Sequence, residues 1–282
     1  MIQDGAPTSG GPAGRAVLRA RPMSLPAFPS LRVALTVDME PDCPPFLWTW
    51  RGVTEGAPRL LDLFAREAIP VTWFTTGDTA RLHPQAVEAI VAGGHELGCH
   101  GISHQRFDWM SRESAAHEIG DSTRRLRGFA EVTSFRAPYL RFPGHYLDLL
   151  AAEGFKLDSS QAKYKRDVPG AENAPGLIRI PASITSSALR IPRIIREFFL
   201  GRLADPVVLF VHPWEFVDFT RTDLRYDCRF RTGQPALDAL ASVIGFFKAR
   251  GATFTTMRDL GVAGAGVPTA ALAPAAGAAG RP

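Results

Sequence analysis

Apolar positions along this chain follow two alternating rhythms. Short apolar runs bounded by proline, glycine or acidic residues predict buried strands at Leu31–Thr36 (LRVALT), Pro70–Thr76 (PVTWFTT), His95–Cys99, Ser134–Arg136, Phe155–Asp158, Ile178–Ile180, Val207–Val211 (VVLFV) and Thr253–Thr255. Between them, apolar residues recur at helical spacing over Arg59–Glu67, Pro84–Ala92, a stretch from a capping Ser111 to about Arg127, Tyr146–Glu153 and Leu237–Arg250. Gly93-Gly94, Gly154 and Gly251 stand where those helices should stop. The alternation predicts an α/β fold: a parallel sheet with helices outside it, either a barrel or an open doubly wound sheet.

The two ends break the pattern. Residues 1–30 are rich in Gly, Pro, Ala and Arg and are expected to form a flexible arm. Residues 263–282 are almost all Ala, Gly, Pro and Val and are expected to be a disordered tail. That leaves 31–262 as one domain, within the usual range for a single large α/β unit.

Composition narrows the class. With 45% hydrophobic and 21% charged residues, a substantial core is available and global disorder is excluded. No apolar run approaches the roughly 18–20 residues of a membrane-spanning helix. The first 30 residues lack the apolar stretch of a secretory signal, so a cytoplasmic location is expected, with the inner face of the membrane as a variant of it. Net charge is +4, and 28 of the 32 cations are arginines, scattered without a block, so no nucleic-acid partner is expected. Cys43, Cys99 and Cys228 are few, far apart and without a C-x-x-C, which argues against a disulfide framework.

Chemistry-bearing residues gather just after the strands. His100-Gly101-Ile102-Ser103-His104 sets two imidazoles four residues apart, able to face one ion if the segment makes a helical turn; two surface histidines in a loop is the plain alternative. Asp38 and Glu40 flank Met39, and strand alternation turns both carboxylates to one face, where they repel unless a cation lies between them. Taken alone, the pair is better read as a strand end that simply surfaces into solvent at Pro41-Asp42. Arg136 in R-A-P-Y could clamp a carboxylate in bidentate geometry, or be a structural loop arginine. Asp158 could orient a cation, or cap a turn at Ser159-Ser160. His212, leaving VVLFV into H-P-W-E, could be a general acid or a core histidine, and Trp214 a flat wall for a sugar ring or simple packing.

Taken in order, D-M-E, H-G-I-S-H, R-A-P-Y, D-S-S and an apolar strand ending in His resemble the polysaccharide deacetylases with a NodB-type domain, carbohydrate esterase family 4, over roughly Leu31–Leu260. The stretch Thr72–His104 is similar to the family as well, and the D-S-S and H-P-W-E segments resemble a subgroup found near bacterial surface-polysaccharide genes. The resemblance implies a distorted (β/α) barrel and metal-dependent removal of an N-acetyl, less often O-acetyl, group from a sugar. It implies Asp38 as general base, and Glu40, His100 and His104 around one divalent ion, zinc first, with cobalt, nickel or iron as others. Arg136 would hold the base, the backbone N–H near Tyr139 would face the oxyanion, His212 would be the general acid and Asp158 would support the charge network. One departure stands out: the common first motif has adjacent aspartates, whereas Met39 separates Asp38 from Glu40, which leaves their two roles open to exchange.

Two other readings keep the fold. One changes the bond, to an amidase or deformylase acting on a lipid-linked amino sugar or small cyclic amide. The other is a non-catalytic carbohydrate-binding scaffold. Leu189–Leu200 (LRIPRIIREFFL) bears on the first, because its mixture of Arg with Ile and Phe suits an interfacial helix. The preferred expectation for it is a helix packed on the barrel with its arginines in water, a peripheral membrane contact being the alternative.

Overall fold

Strand β1 (Arg32–Met39) organises the molecule. In the computed structural model, which describes Met1 and residues 31–47, 49–165 and 174–265, it extends three residues past its expected end and so carries Asp38 inside the strand. Its odd positions Val33, Leu35, Val37 and Met39 face outward and pack with Leu60 and Phe64 of helix α1 (Ala57–Glu67) in one apolar layer. Its even positions line the barrel. Ala34 lies low, packed with Phe74 and Val208, and Thr36 and Asp38 follow above it. A single strand thus grades from an apolar floor to a polar rim.

The remaining elements follow in βα order. They are β2 (Thr72–Thr75), α2 (Gly77–Leu82), α3 (Pro84–Ala92), β3 (Glu96–Cys99), α4 (Arg112–Leu126), β4 (Ser134–Phe135), α5 (Leu147–Ala152), β5 (Leu157–Asp158) and β6 (Ile178–Arg179). Then come α6 (Arg193–Leu200), β7 (Val207–Val211), α7 (Tyr226–Arg229), α8 (Gln234–Lys248), β8 (Thr253–Phe254) and α9 (Met257–Ala265). All pairings are parallel, in the order β6-β5-β4-β3-β2-β1-β7, with β8 beside the start of β1. Past β6 the Ser183 N–H donates to Val208 O at 2.8 Å, and the Val208 N–H to Ser183 Oγ at 3.0 Å. Those two bonds tie the chain after β6 to β7 and curl the sheet into an irregular barrel. Met257 and Leu260 of α9 close its floor. The expected distorted (β/α) barrel is what forms, with strands on the β4–β6 side only two residues long.

Several expectations change. Helices α2, α7 and α9 were not legible, being short or poor in apolar periodicity; Thr76 starts α2 by accepting the Thr79 N–H. Helix α9 runs through residues 263–265, which the composition placed in a tail, because alanine sustains a helix once its first turn is anchored. The arm at 2–30 and the rest of the tail lie outside the described residues.

Helix α6 is turned the opposite way from the expected one. Arg196 is buried and donates to Leu189 O at 3.1 Å and Ser242 Oγ at 2.9 Å, while Ile194, Ile195, Phe198 and Phe199 face solvent. Buried guanidinium groups need several acceptors. The Leu189 carbonyl and the Ser242 hydroxyl supply two of them, which selects the Arg196 face for the inside.

Candidate active site

At the carboxyl ends of β1, β3 and β7 an open cleft of about 820 Å³ is lined by Asp38, Glu40, His100, His104, Tyr139, His212 and Trp214 among others. This is the face where parallel β/α folds place their chemistry.

Its floor is an arginine. Arg136 is fully buried after β4; its Nη1 donates to Asp38 Oδ1 and to Thr36 Oγ1, both at 2.6 Å, and its Nη2 to Ser159 Oγ at 3.0 Å. The guanidinium lies 4.2 Å from the centre of the Phe74 ring. The grip on Asp38 is through one nitrogen rather than the bidentate fork expected, because the other contacts go to Thr36 and Ser159. Thr36 in turn donates to Leu209 O at 2.8 Å, so β1, β4, β5 and β7 meet at this group.

Above it Glu40 is surrounded by imidazoles. Its Oε2 lies 2.6 Å from His104 Nε2 and 3.3 Å from His100 Nε2. All three residues are buried, and one ligand-type atom from each lies within 4.8 Å of the others. Burial alone would raise the Glu40 carboxyl; the charges of His104 and His212 and the bonds from His100 and His104 outweigh it and hold Glu40 well below the usual carboxylate range. His100 Nδ1 donates to the carbonyl oxygen of Arg136 at 2.7 Å, which turns Nε2 toward Glu40. Two imidazole nitrogens and one carboxylate oxygen are a suitable donor set for a divalent transition ion with positions left over for water, so the residues present fit such an ion.

The two histidines converge without the helical turn expected of H-x-x-x-H. Residues 101–104 form a loop in which Gly101 has φ +76° and His104 φ +60°. The first is easy for glycine; the second is a conformation that a histidine adopts rarely and under constraint. The constraint is visible. Glu118 of α4 accepts the N–H groups of Ile102 at 2.7 Å and Ser103 at 2.9 Å, and the first N–H groups of α2 donate to the carbonyls of Gly101 and Ile102. Tyr139, also at positive φ (+59°), sets its ring 4.6 Å from that of His104.

Across the cleft His212 ends β7. Its Nδ1 lies 2.8 Å from Glu215 Oε1, and its Nε2 3.8 Å from Glu40 Oε1. Glu215 is buried and paired with Arg190 at 2.9 Å. Burial lowers the His212 imidazole, but Glu40, Glu215 and Asp38 outweigh it and raise it to about 9. The Glu215 carboxyl is pushed down, Arg190 and His212 overcoming its burial. Trp214 stacks on the His212 ring at 5.1 Å and donates from Nε1 to Glu40 Oε1 at 3.4 Å. The turn is pressed against the segment before α1: a Cβ on Gly56 would come 2.0 Å from Pro213 O, so only glycine fits there.

The structure therefore brings Asp38, Glu40, His100, His104, Arg136, Tyr139, His212 and Trp214 to one cleft. It sets Asp158 apart, accepting from Arg179 Nε at 2.8 Å and from the Ser160 N–H at 3.0 Å; its neighbour Ser159 touches Arg136 instead. Sequence reasoning passed over Glu215, Arg190, Thr36 and Ser159. Glu215 carried a signal, since a carboxylate three residues after His212 at the start of a turn is capping-box spacing.

Residues 27–157, a little under half of the chain, match the family model described as polysaccharide deacetylase. A peptidoglycan deacetylase of Helicobacter pylori is 33% identical over 107 residues, 37% of this chain and 36% of its own, so the chain spans little more than a third of that relative's length. Among solved structures, a putative polysaccharide deacetylase from Mycobacterium smegmatis superposes with a TM-score of 0.62 at 20% identity, covering 86% of this chain and 93% of that one. A carbohydrate esterase family 4 pseudoenzyme from Bacillus anthracis superposes at 0.57 and 14% identity, covering 82% of this chain and 66% of that one. The last pair shares the fold alone, and the fold by itself does not carry an activity.

Proposed function

We propose that the protein is a metal-dependent hydrolase that removes an N-acetyl group from a sugar of a bacterial surface polysaccharide or its precursor. The observation that carries this reading is the convergence of three units on one cleft: Glu40 with His100 and His104, Asp38 on Arg136, and His212 on Glu215.

Glu40, His100 and His104 would hold a divalent ion, zinc by preference. Bound there, it would activate water and polarise the amide carbonyl. Asp38 lies on the same strand face as Glu40 but outside the imidazole group, which supports Asp38 as the base and Glu40 as the ligand. Arg136 keeps the Asp38 carboxylate aimed at the cleft, ready to accept the proton of the attacking water. His212, raised by the charge of Glu40 and by the bond and charge of Glu215, would deliver its Nε2 proton to the leaving amine. The Tyr139 N–H would serve the developing oxyanion, and Trp214 would keep the His212 ring in place while offering an apolar wall to the sugar.

The test combines metal content of the purified protein with acetate release from a panel of N-acetylated saccharides. Bound metal with acetate release from at least one saccharide is expected. No metal uptake after incubation with zinc or cobalt, together with no acetate release, would leave only the scaffold.

A further inference from the structure

Helix α6 shows four large apolar side chains to solvent on barely two turns: Ile194 is 86% exposed, Ile195 50%, Phe198 55% and Phe199 46%. Exposed apolar residues scattered singly are ordinary; a contiguous set on one helix face marks a contact surface. The face cannot be buried by rolling the helix. Its inner side is pinned by Arg196 on Leu189 O and Ser242 Oγ, and the segment leading into it by Arg190 on Glu215 and on Asp227 O. Rolling α6 would strip a buried guanidinium of its acceptors.

The rim of this face is cationic. Arg193 is largely exposed on the helix, paired with Glu197. The Arg202 guanidinium lies 3.4 Å from the centre of the Phe198 ring. Arg250 covers Phe246, whose ring edge would be 3.9 Å from a Cβ placed on Gly201 at the end of α6. An apolar centre between arginines is the pattern of a helix lying in the interface of an anionic bilayer, where side chains enter the acyl boundary and guanidinium groups meet headgroup phosphates. A second copy fits poorly, because a two-fold contact would set this arginine rim against itself.

We propose that the outward face of α6 docks the protein on an anionic phospholipid surface. Thr185, Ser186, Ser187 and Arg190 line the active-site cleft and α6 begins at Arg193, so the docking face adjoins one wall of the cleft. A glycan attached to that surface would reach the cleft without leaving the membrane plane.

The test is co-sedimentation of the full chain with vesicles of phosphatidylcholine alone or mixed with phosphatidylglycerol. Binding is expected to the anionic vesicles, much less to the neutral ones, and to weaken with salt. The double variant Ile194→Ser/Phe198→Ser should partition roughly tenfold or more weakly, and Arg202→Glu by a smaller factor. Both variants should keep the wild-type circular dichroism and acetate release from a soluble saccharide. Vesicle binding is read without turnover, so it stands or falls separately from the proposed reaction. No binding to anionic vesicles, equal binding by wild type and the double variant, or a solution dimer abolished by that same pair would each overturn the proposal, the last by showing that a second copy covers the face.

Discussion

Two walls of the cleft use the same side chain for different ends, and what each imidazole donates to separates them. On the β3 wall the Nδ1 of His100 faces a backbone carbonyl, a neutral acceptor that fixes the tautomer and adds no charge. On the β7 wall the Nδ1 of His212 faces the carboxylate of Glu215, which both orients the ring and favours its protonated form. The first turns Nε2 into the cleft with no carboxylate behind the ring and suits a ligand. The second presents a proton and suits an acid. The partner one atom behind the ring, rather than the histidine itself, divides the labour.

That division can be broken from either side. The largest effect is expected from His104→Ala, which should abolish both bound metal, read by elemental analysis, and turnover. Next, His212→Ala should keep its metal and lose turnover by ~10²–10⁴-fold; loss of metal as well would erase the distinction between the walls. Asp38→Asn should lose turnover comparably and also destabilise, because it strips the charge from Arg136's buried partner; removing one member of a buried pair costs about 3–5 kcal/mol, which denaturant titration would show.

Smaller effects sharpen the comparison. Glu215→Gln should reduce turnover roughly tenfold to a hundredfold, as loss of an orienting partner commonly does, and should move the alkaline limb of the pH–rate profile downward. In the metal-free protein His212 is raised from about 6.5 to about 9. Its charge therefore adds stability in full below about pH 6.5, and that contribution is lost as pH climbs through about 9. Thermal melts across that window should show the loss in wild type and less of it in Glu215→Gln. The smallest change is expected for Trp214→Phe, which keeps a stacked ring and removes only the Nε1 donor to Glu40, worth about 1 kcal/mol.

The strands and the main helices could be read from the chain because period and punctuation report them directly. The site could be read because its residues sit at strand ends, in an order that a known family shares. Other features could not, for physical reasons. The positive φ at His104 is imposed by Glu118 and the start of α2, neither of which the H-x-x-x-H spacing mentions. The partner of Asp158 depends on which strand lies beside β5, and β6 brings Arg179 there. Helix α6 makes the point most plainly. Like α1, it is amphipathic by sequence. Yet α1 buries Leu60, Leu63 and Phe64, whereas α6 buries Arg196 and leaves its phenylalanines outside. Periodicity tells that a helix has two faces; the acceptors beneath it decide which one turns in.

The placement of β1 bears on how the molecule comes to exist. One of its edges is taken by β2, but the other by β7, some 170 residues later in the sequence, and at its start by β8, later still. During synthesis Asp38 and Glu40 must wait beside incomplete neighbours until Val207–Val211 arrives with His212. Until β7 is made, the nascent chain therefore carries two neighbouring but non-adjacent acidic groups, Asp38 and Glu40, at the end of a strand that lacks one partner. Pairings between such distant segments close slowly, so the wall that holds His212 is completed late.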